Sequence, residues 1–409
     1  MRALDGDTAI ALSRLDHTDI LIGIPSYNSA GTIGHVVTQS AAGLSCYLTG
    51  RRKLILVSDG GSTDGTLSIA KDTPLPEGVQ LLTCRYQGVP GKGSAVKAIF
   101  EAAMIVGATS VAMLDSDLQS VTPSWVKLLI CPTMDGAGLV TPRYVRHKYD
   151  GTITNQLCYP LTRALYGKRI RQPIGGDFGL SGELVKTLVG SSLWENPYVP
   201  RFGIDIFITS SALAQGFAVE EADLGAKIHE AKDPALQLAS MFREVAGSAL
   251  VCMQEYEKSW RHVRGSSPVR LHSNEISKGE PPTISVDLER LIHECRSAYS
   301  KSYYFRSVLS PELRRRLDST ISVIHDDPSI PTDVWANTVY EVSARFKTAK
   351  ENERSQLLEG LRSIWTARVI TFVAQTASMT NEEAEMKVEE EAAYFEETKS
   401  QLLAKYDAR

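Results

Sequence analysis

Short apolar runs alternate with longer stretches of mixed polarity over the first part of the chain. Ile20-Leu21-Ile22-Gly23-Ile24-Pro25, Lys53-Leu54-Ile55-Leu56-Val57-Ser58, Val79-Gln80-Leu81-Leu82-Thr83 and Val111-Ala112-Met113-Leu114 each read as a strand. Their near-continuous apolar character predicts strands buried on both faces. Helices are expected between them, over about 32–42, through about 70, and over 92–107. Strands alternating with helices of this length predict βαβ units and an α/β fold with a mainly parallel, Rossmann-like sheet. From about Leu236 strand signals fade and helical ones take over.

This change of character suggests three parts: an α/β domain over 1–262, a linker or loop over 263–284, and a helical C-terminal region over 285–409. The middle part is rich in turn formers, as in Gly265-Ser266-Ser267-Pro268 and Gly279-Glu280-Pro281-Pro282. Near the end, Thr380-Asn381-Glu382-Glu383 has the spacing of a capping box, in which Thr and Glu satisfy orphan N–H groups reciprocally. The acidic run Glu389-Glu390-Glu391 behind it predicts a solvated helix face, and Phe395, Leu402 and Tyr406 a buried stripe.

Composition narrows the classes of function. A hydrophobic fraction of 43% and a charged fraction of 22% over 409 residues are ordinary for a globular protein. A net charge of -4 lacks the basic footprint of general nucleic-acid binding. Six scattered cysteines without a Cys-x-x-Cys pair fit neither a zinc site nor a disulfide framework, so reduced thiols are expected. Asp5, Asp7, Asp16 and Asp19 argue against a signal peptide. No segment approaches the roughly 20 apolar residues that span a bilayer. The reading is a cytoplasmic protein with no membrane span.

Five short pieces carry candidate chemistry. Asp115-Ser116-Asp117 ends a buried strand with two carboxylates, where open α/β sheets bind ligands. Carboxylates so placed suit a hard divalent cation, although Asp-x-Asp is also a common loop cap. Pro25-Ser26-Tyr27-Asn28 follows the first strand at the same expected edge. Asp59, ahead of Gly60-Gly61-Ser62-Thr63-Asp64, can accept hydrogen bonds from a base or ribose, or simply build an Asx turn. Gly91-Lys92-Gly93-Ser94 precedes a helix but fits neither phosphate-loop pattern: Tyr86 and Gly93 break the Walker spacing, and Val96 the dinucleotide one. A lysine at a helix N-terminus can still pair with a phosphate. The fifth piece combines Gln172-Pro173-Ile174-Gly175-Gly176-Asp177, Gly203-Ile204-Asp205 and Lys227-Ile228-His229. Asp205 lies in an apolar run and needs a partner. His229 offers a nitrogen ligand or is an ordinary satisfied histidine.

Taken in order, these pieces resemble retaining glycosyltransferases of the GT-A fold, over roughly residues 18–260. The relatives they most resemble are the glucosyl-3-phosphoglycerate, mannosylglycerate and glucosylglycerate synthases. The resemblance implies a nucleotide pocket lined by Pro25, Tyr27, Asp59 and Lys92, with Asp115 on the ribose. It implies Mg²⁺ or Mn²⁺ held by Asp117, His229 and the donor diphosphate. Asp177 would hold hydroxyls of the transferred sugar and Asp205 would sit by the reacting sugar and acceptor. Retention then needs no protein nucleophile, because the leaving diphosphate helps deprotonate the incoming hydroxyl.

The implied partners are a nucleotide diphosphate sugar (GDP-glucose or UDP-glucose) and glycerate or 3-phosphoglycerate. Thr152 and Thr154 align with the acceptor-binding stretch of the family. Phosphoglycerate-using members typically carry an arginine where Thr152 stands and a threonine two places on, matched by Thr154. Loss of that arginine removes the bidentate partner of a phosphate. The acidic residues of Glu230-Ala231-Lys232-Asp233 would also repel a phosphate. Both points favour D-glycerate. A basic stretch from Arg143 to Arg171 is expected near the acceptor. The helical region leaves open packing on the catalytic domain or a homodimer.

Overall fold

The computed structural model describes residues 2–15, 17–229, 234–273 and 279–408, with side chains of the helix Pro234–Glu255 described from residue 240 onward. Two of the sequence features above, Asp16 and the 230–233 stretch, lie outside the described residues. The strands are β1 (Ile20–Ser26), β2 (Lys53–Asp59), β3 (Val79–Arg85), β4 (Ser110–Met113), β5 (Leu139–Val145), β6 (Lys168–Arg169), β7 (Phe178–Ser181), β8 (Val219–Ala226), β9 (Ser267–Pro268) and β10 (Leu271–His272). Eight of them form one sheet in the order β10-β8-β5-β7-β4-β1-β2-β3, and β6 pairs with β9 separately. All pairings in the large sheet are parallel except those of β7 with β4 and β5. The expected mainly parallel α/β sheet is present, followed by a helical C-terminal region.

The chain forms two compact units. The first comprises 1–145, 170–233 and 269–281; the second comprises 146–169, 234–268 and 282–409. The linear division at 262 and 284 is thus crossed by two excursions. Residues 146–169 and 234–268 cluster with the C-terminal helices, and side chains of the first stretch are bound there. Arg163 Nη1 and Nε reach Glu389 and Glu396 at 2.9 and 2.6 Å, and the Tyr159 hydroxyl donates to Glu389 at 2.6 Å.

In the first unit, β1 is buried along its whole length, as its unbroken apolar run requires. A methyl group on Gly23 would lie 2.3 Å from Ile99, so glycine is what lets the helix Lys92–Val106 pack directly on β1. The core on the other side gathers Ile22, Ile24, Val36, Val57, Leu114 and Trp125. Register then decides which residues meet at the sheet edge. Gly23 pairs with Met113, so the chain leaves β4 beside Pro25. Because β7 is antiparallel and begins opposite Met113, the residue before it, Asp177, arrives at that same edge. β8 runs parallel to β5, so residues 227–229 leave there too.

In the second unit, the helix Glu351–Thr376 is buried on many sides, from Leu357 to Val373. The capping box at Thr380 and Glu383 forms as expected. Phe395, Leu402 and Tyr406 are buried, as the stripe predicts. The acidic run departs from expectation. Glu391 is only 3% exposed and pairs with Arg368, while the half-exposed Glu389 receives Arg163, and Glu390, the most exposed of the three, pairs with Lys387. Three consecutive residues point in three directions around a helix, which a run of one letter type conceals.

Candidate active site

Five alternating charges form the centre of the first unit. Lys92 Nζ lies 2.8 Å from Asp115 and 3.3 Å from Asp205. Lys227 Nζ lies 3.0 Å from Asp115, 3.0 Å from Asp177 and 2.9 Å from the Gly175 carbonyl oxygen. Asp115 therefore sits between two ammonium groups, one on each carboxylate oxygen. Burial works to raise its pKa, but Lys92 and Lys227 outweigh it and hold the carboxyl well below the usual range. Lys92 is held above the ordinary lysine value: burial opposes this, and Asp115 and Asp205 overcome it. Burial leaves Asp177 and Asp205 raised above the ordinary aspartate value.

Each member is delivered by a local feature. Lys92 opens the helix Lys92–Val106, and the glycines around it serve chain packing. A Cβ on Gly93 would fall 1.9 Å from the Val199 carbonyl oxygen, and the N–H groups of Gly93 and Ser94 donate to Arg201 and Pro200 at 3.0 and 2.9 Å. These amides bind the 199–201 segment, and the lysine side chain alone turns to the carboxylates. Asp205 stands in the first turn of the helix Ile204–Ala214, which Thr209 ties to the Pro173 carbonyl oxygen at 2.7 Å. Gly176 adopts φ +92°, and a Cβ there would lie 2.4 Å from Asp115 Oδ2. Glycine is needed at this point for both reasons.

The pieces expected to line the nucleotide pocket take distinct places. Tyr27 is 65% exposed, beside Gly60 and Tyr86, so its ring face is open. Pro25 is buried within β1. Asp59 is fully buried and takes hydrogen bonds from Gly61 N, Ser62 N, Ser62 Oγ and Ser26 Oγ at 2.8, 2.8, 2.5 and 3.0 Å. Its oxygens are thus occupied by its own turn and by β1, and they shape the loop that faces Tyr27. Asp64 accepts from Ala30 N at 3.0 Å and Thr66 N at 3.1 Å, which joins the two loops. Asn28, at φ 48°, donates from its N–H to Ser62 Oγ at 2.8 Å and accepts from Thr63 N at 3.0 Å. Ser116 is fixed by Ser29 and Thr32 at 2.8 and 2.7 Å.

Asp117 and His229 are brought together by backbone. An isolated antiparallel bridge joins Leu118 to His229, the Gln119 N–H donates to the Ile228 carbonyl at 2.8 Å, and the Ile228 N–H donates to Ser120 Oγ at 3.0 Å. His229 therefore neighbours the end of Asp115-Ser116-Asp117, although the two lie 112 positions apart in the chain. Among the described residues, no group of three or more His, Cys, Asp or Glu side chains gathers as a metal cage. A carboxylate and an imidazole fit an ion whose remaining ligands come from substrate phosphate and water, the usual habit of Mg²⁺.

The expected hydroxyl-binding role of Asp177 meets a different geometry. Its carboxylate is fully buried; Oδ1 accepts from Asp115 N at 2.7 Å, and Oδ2 accepts from Lys227 and from the Tyr144 hydroxyl. It orients the Asp115 backbone. Tyr144 and Lys227 are the residues to which sequence reasoning gave no role. Gln172 exchanges two hydrogen bonds with the backbone of Tyr144, at 3.3 and 2.9 Å, and Lys227 lies 5.0 Å from the centre of the Tyr144 ring. The available signal was position: Lys227 stands just beyond the strand Val219–Ala226 and two residues before His229.

Thr152 and Thr154 belong to the second unit. The Thr152 carbonyl accepts from Trp365 Nε1 at 3.4 Å, and Thr154 is buried in a turn of π-helix over Thr154–Cys158. Several cations of the expected basic stretch are committed within that unit. Arg146 pairs with Asp150 and Arg163 with two glutamates, while Lys148 donates to the Thr376 and Met379 carbonyls.

Residues 21–179 match the family described as Glycosyl transferase family 2, and over that stretch the chain resembles a GT-A glycosyltransferase. Among curated proteins none matches. Among solved structures the chain is similar to glucosyl-3-phosphoglycerate synthase from Mycobacterium tuberculosis. With phosphoglyceric acid bound, the identity is 25% and the TM-score 0.46, over 60% of this chain and 81% of that one. With Mg²⁺ and uridine diphosphate, the values are 25% and 0.46, over 62% and 84%. With Mn²⁺, UDP-glucose and glycerol 3-phosphate, they are 24% and 0.45, over 62% and 85%.

Proposed function

We propose that the chain is a metal-dependent retaining glycosyltransferase. It moves glucose, or alternatively mannose, from a nucleotide diphosphate sugar such as GDP-glucose or UDP-glucose to D-glycerate. The observation that carries this reading is the Leu118–His229 bridge, a backbone pairing that brings residue 229 alongside the end of Asp115-Ser116-Asp117 at the sheet's ligand-binding edge. The family match over 21–179 supports the same chemistry.

In this reading Tyr27 offers its exposed ring to the base, above the loop that Asp59 shapes. Asp117 and His229 hold Mg²⁺ or Mn²⁺, and the chemistry that ion supplies when bound is neutralisation of charge on the departing diphosphate. Lys92 adds a fixed cation at a helix N-terminus. Asp115, locked between Lys92 and Lys227, faces the nucleotide ribose. Asp205 supplies a buried carboxylate, already held by Lys92, near the reacting sugar. The assignment of Thr152 and Thr154 to the acceptor rests on resemblance, as does the preference for glycerate over 3-phosphoglycerate.

A mass-spectrometric panel tests the reading. It crosses UDP-, GDP- and ADP-glucose and GDP-mannose with D-glycerate and 3-phosphoglycerate, with and without Mg²⁺ or Mn²⁺. The expected result is metal-dependent α-glucosylglycerate. Preferred turnover of 3-phosphoglycerate would select the phosphorylated acceptor instead. Transfer with no pair would leave a nucleotide-sugar-binding scaffold. A polyprenyl phosphate acceptor gains no support, because no helix among the described residues is long and apolar enough to cross a membrane.

A further inference from the structure

We infer that Lys227 is the positioning residue of the metal half-site: by clamping the start of the 227–229 segment it sets where His229 stands against Asp117. This rests on the metal-dependent transferase reading for its ligand, but its geometric content stands apart from it. The segment leaves β8 at Ala226 and is held at two points. At one, the ammonium of Lys227 is shared among Asp115, Asp177 and the Gly175 carbonyl, at 3.0, 3.0 and 2.9 Å. At the other, the Gln119 and Ile228 amides and the Leu118–His229 bridge stitch the segment to the chain just after Asp117.

The lysine is only 7% exposed, and its ammonium lies 5.0 Å from the centre of the Tyr144 ring, so its position is determined by its buried surroundings as well as by the carboxylates. An ammonium has three donors, and three oxygens lie within hydrogen-bond reach of this one. Two of those contacts also orient Asp115 and Asp177, and Asp177 in turn holds the Asp115 backbone N–H. One side chain thereby couples the placement of Asp115 to that of His229, two positions further along the chain. Supporting groups of this kind, when removed, typically weaken metal binding by about 10–100-fold while leaving the ligands in place.

The test compares wild type with Lys227→Met by two measurements. Electron paramagnetic resonance titration reads Mn²⁺ binding in the presence of UDP, without turnover. Hydrogen exchange reads the Gln119 and Ile228 amides without metal. Lys227→Met is expected to weaken Mn²⁺ binding about 10–100-fold and to speed exchange at both amides. Lys227→Gln, which keeps an uncharged donor for the Gly175 carbonyl, is expected to fall between the two and serves alone if the Met variant does not fold. Mn²⁺ affinity within twofold of wild type, with unchanged exchange, would overturn the inference. If wild type itself bound no Mn²⁺ with UDP, the metal reading would fail, and the exchange comparison would still decide whether Lys227 positions the segment.

Discussion

Gly176 carries two constraints on one backbone position: φ +92°, and a carboxylate oxygen 2.4 Å from where a Cβ would stand. Gly176→Ala is therefore expected to cost about 1–3 kcal/mol of stability from backbone strain. It should also push Asp115 away from Lys227, raising the donor KM more than it lowers kcat. Denaturation and steady-state kinetics check both parts. Asp205 provides a pH test. Burial raises its pKa in the folded protein, so between the unfolded value near 3.8 and the folded value the native state binds more protons. Its contribution to stability is then largest below that window and declines as pH rises through it. The stability of wild type minus that of Asp205→Asn should fall as pH rises from about 4, and a rise would reverse the assigned direction. If Asp205 acts as a carboxylate, the acid limb of kcat/KM should also lie above the ordinary aspartate range. None of this could be read from the letter D at position 205, since the apolar run around it signals burial but not which lysine answers it.

At the scale of elements, the helix Asn381–Glu397 shows how far pattern goes. The capping box and the apolar stripe are local codes, and both are legible. The three consecutive glutamates are not, because each one's energy depends on what another element places opposite it. Glu391 is buried against Arg368, with Nε 2.6 Å away, so Glu391→Ala leaves an unpaired buried guanidinium and is expected to cost about 3–5 kcal/mol. Glu390→Ala, at a largely exposed position, should stay within about 0.5 kcal/mol. Equal effects in chemical denaturation would refute the distinction. The Gly91-Lys92-Gly93 element teaches a similar point. Its glycines look like a phosphate cradle in sequence, yet the Gly91 N–H is spent on the Tyr86 hydroxyl and the Gly93 and Ser94 N–H groups on the 199–201 segment, while the lysine side chain turns to the carboxylates.

For the whole molecule, the two compact units are each discontinuous in sequence. A chain ended at residue 262, where composition suggests a boundary, would keep residues 146–169 and 234–262 but lose the helices that bind Arg163 and Tyr159. It is expected to aggregate or to unfold without cooperativity, by size exclusion and thermal circular dichroism, whereas the full chain should not. The sequence by itself determined the strand and helix alternation, the parallel sense of most of the sheet, and the types of residue at its C-terminal edge. Those features depend on burial period and turn chemistry within a few residues of each other. Only the tertiary structure decided which partner answers each carboxylate: it gave Asp59 to its own turn, Asp177 to Lys227 and Tyr144, and Asp115 to two lysines. It also decided that Lys227 rather than an arginine of the basic stretch clamps the site, and that His229 meets the chain beside Asp117. These outcomes depend on strand order, on one antiparallel strand and on register between segments more than a hundred residues apart, and no local pattern encodes such a meeting.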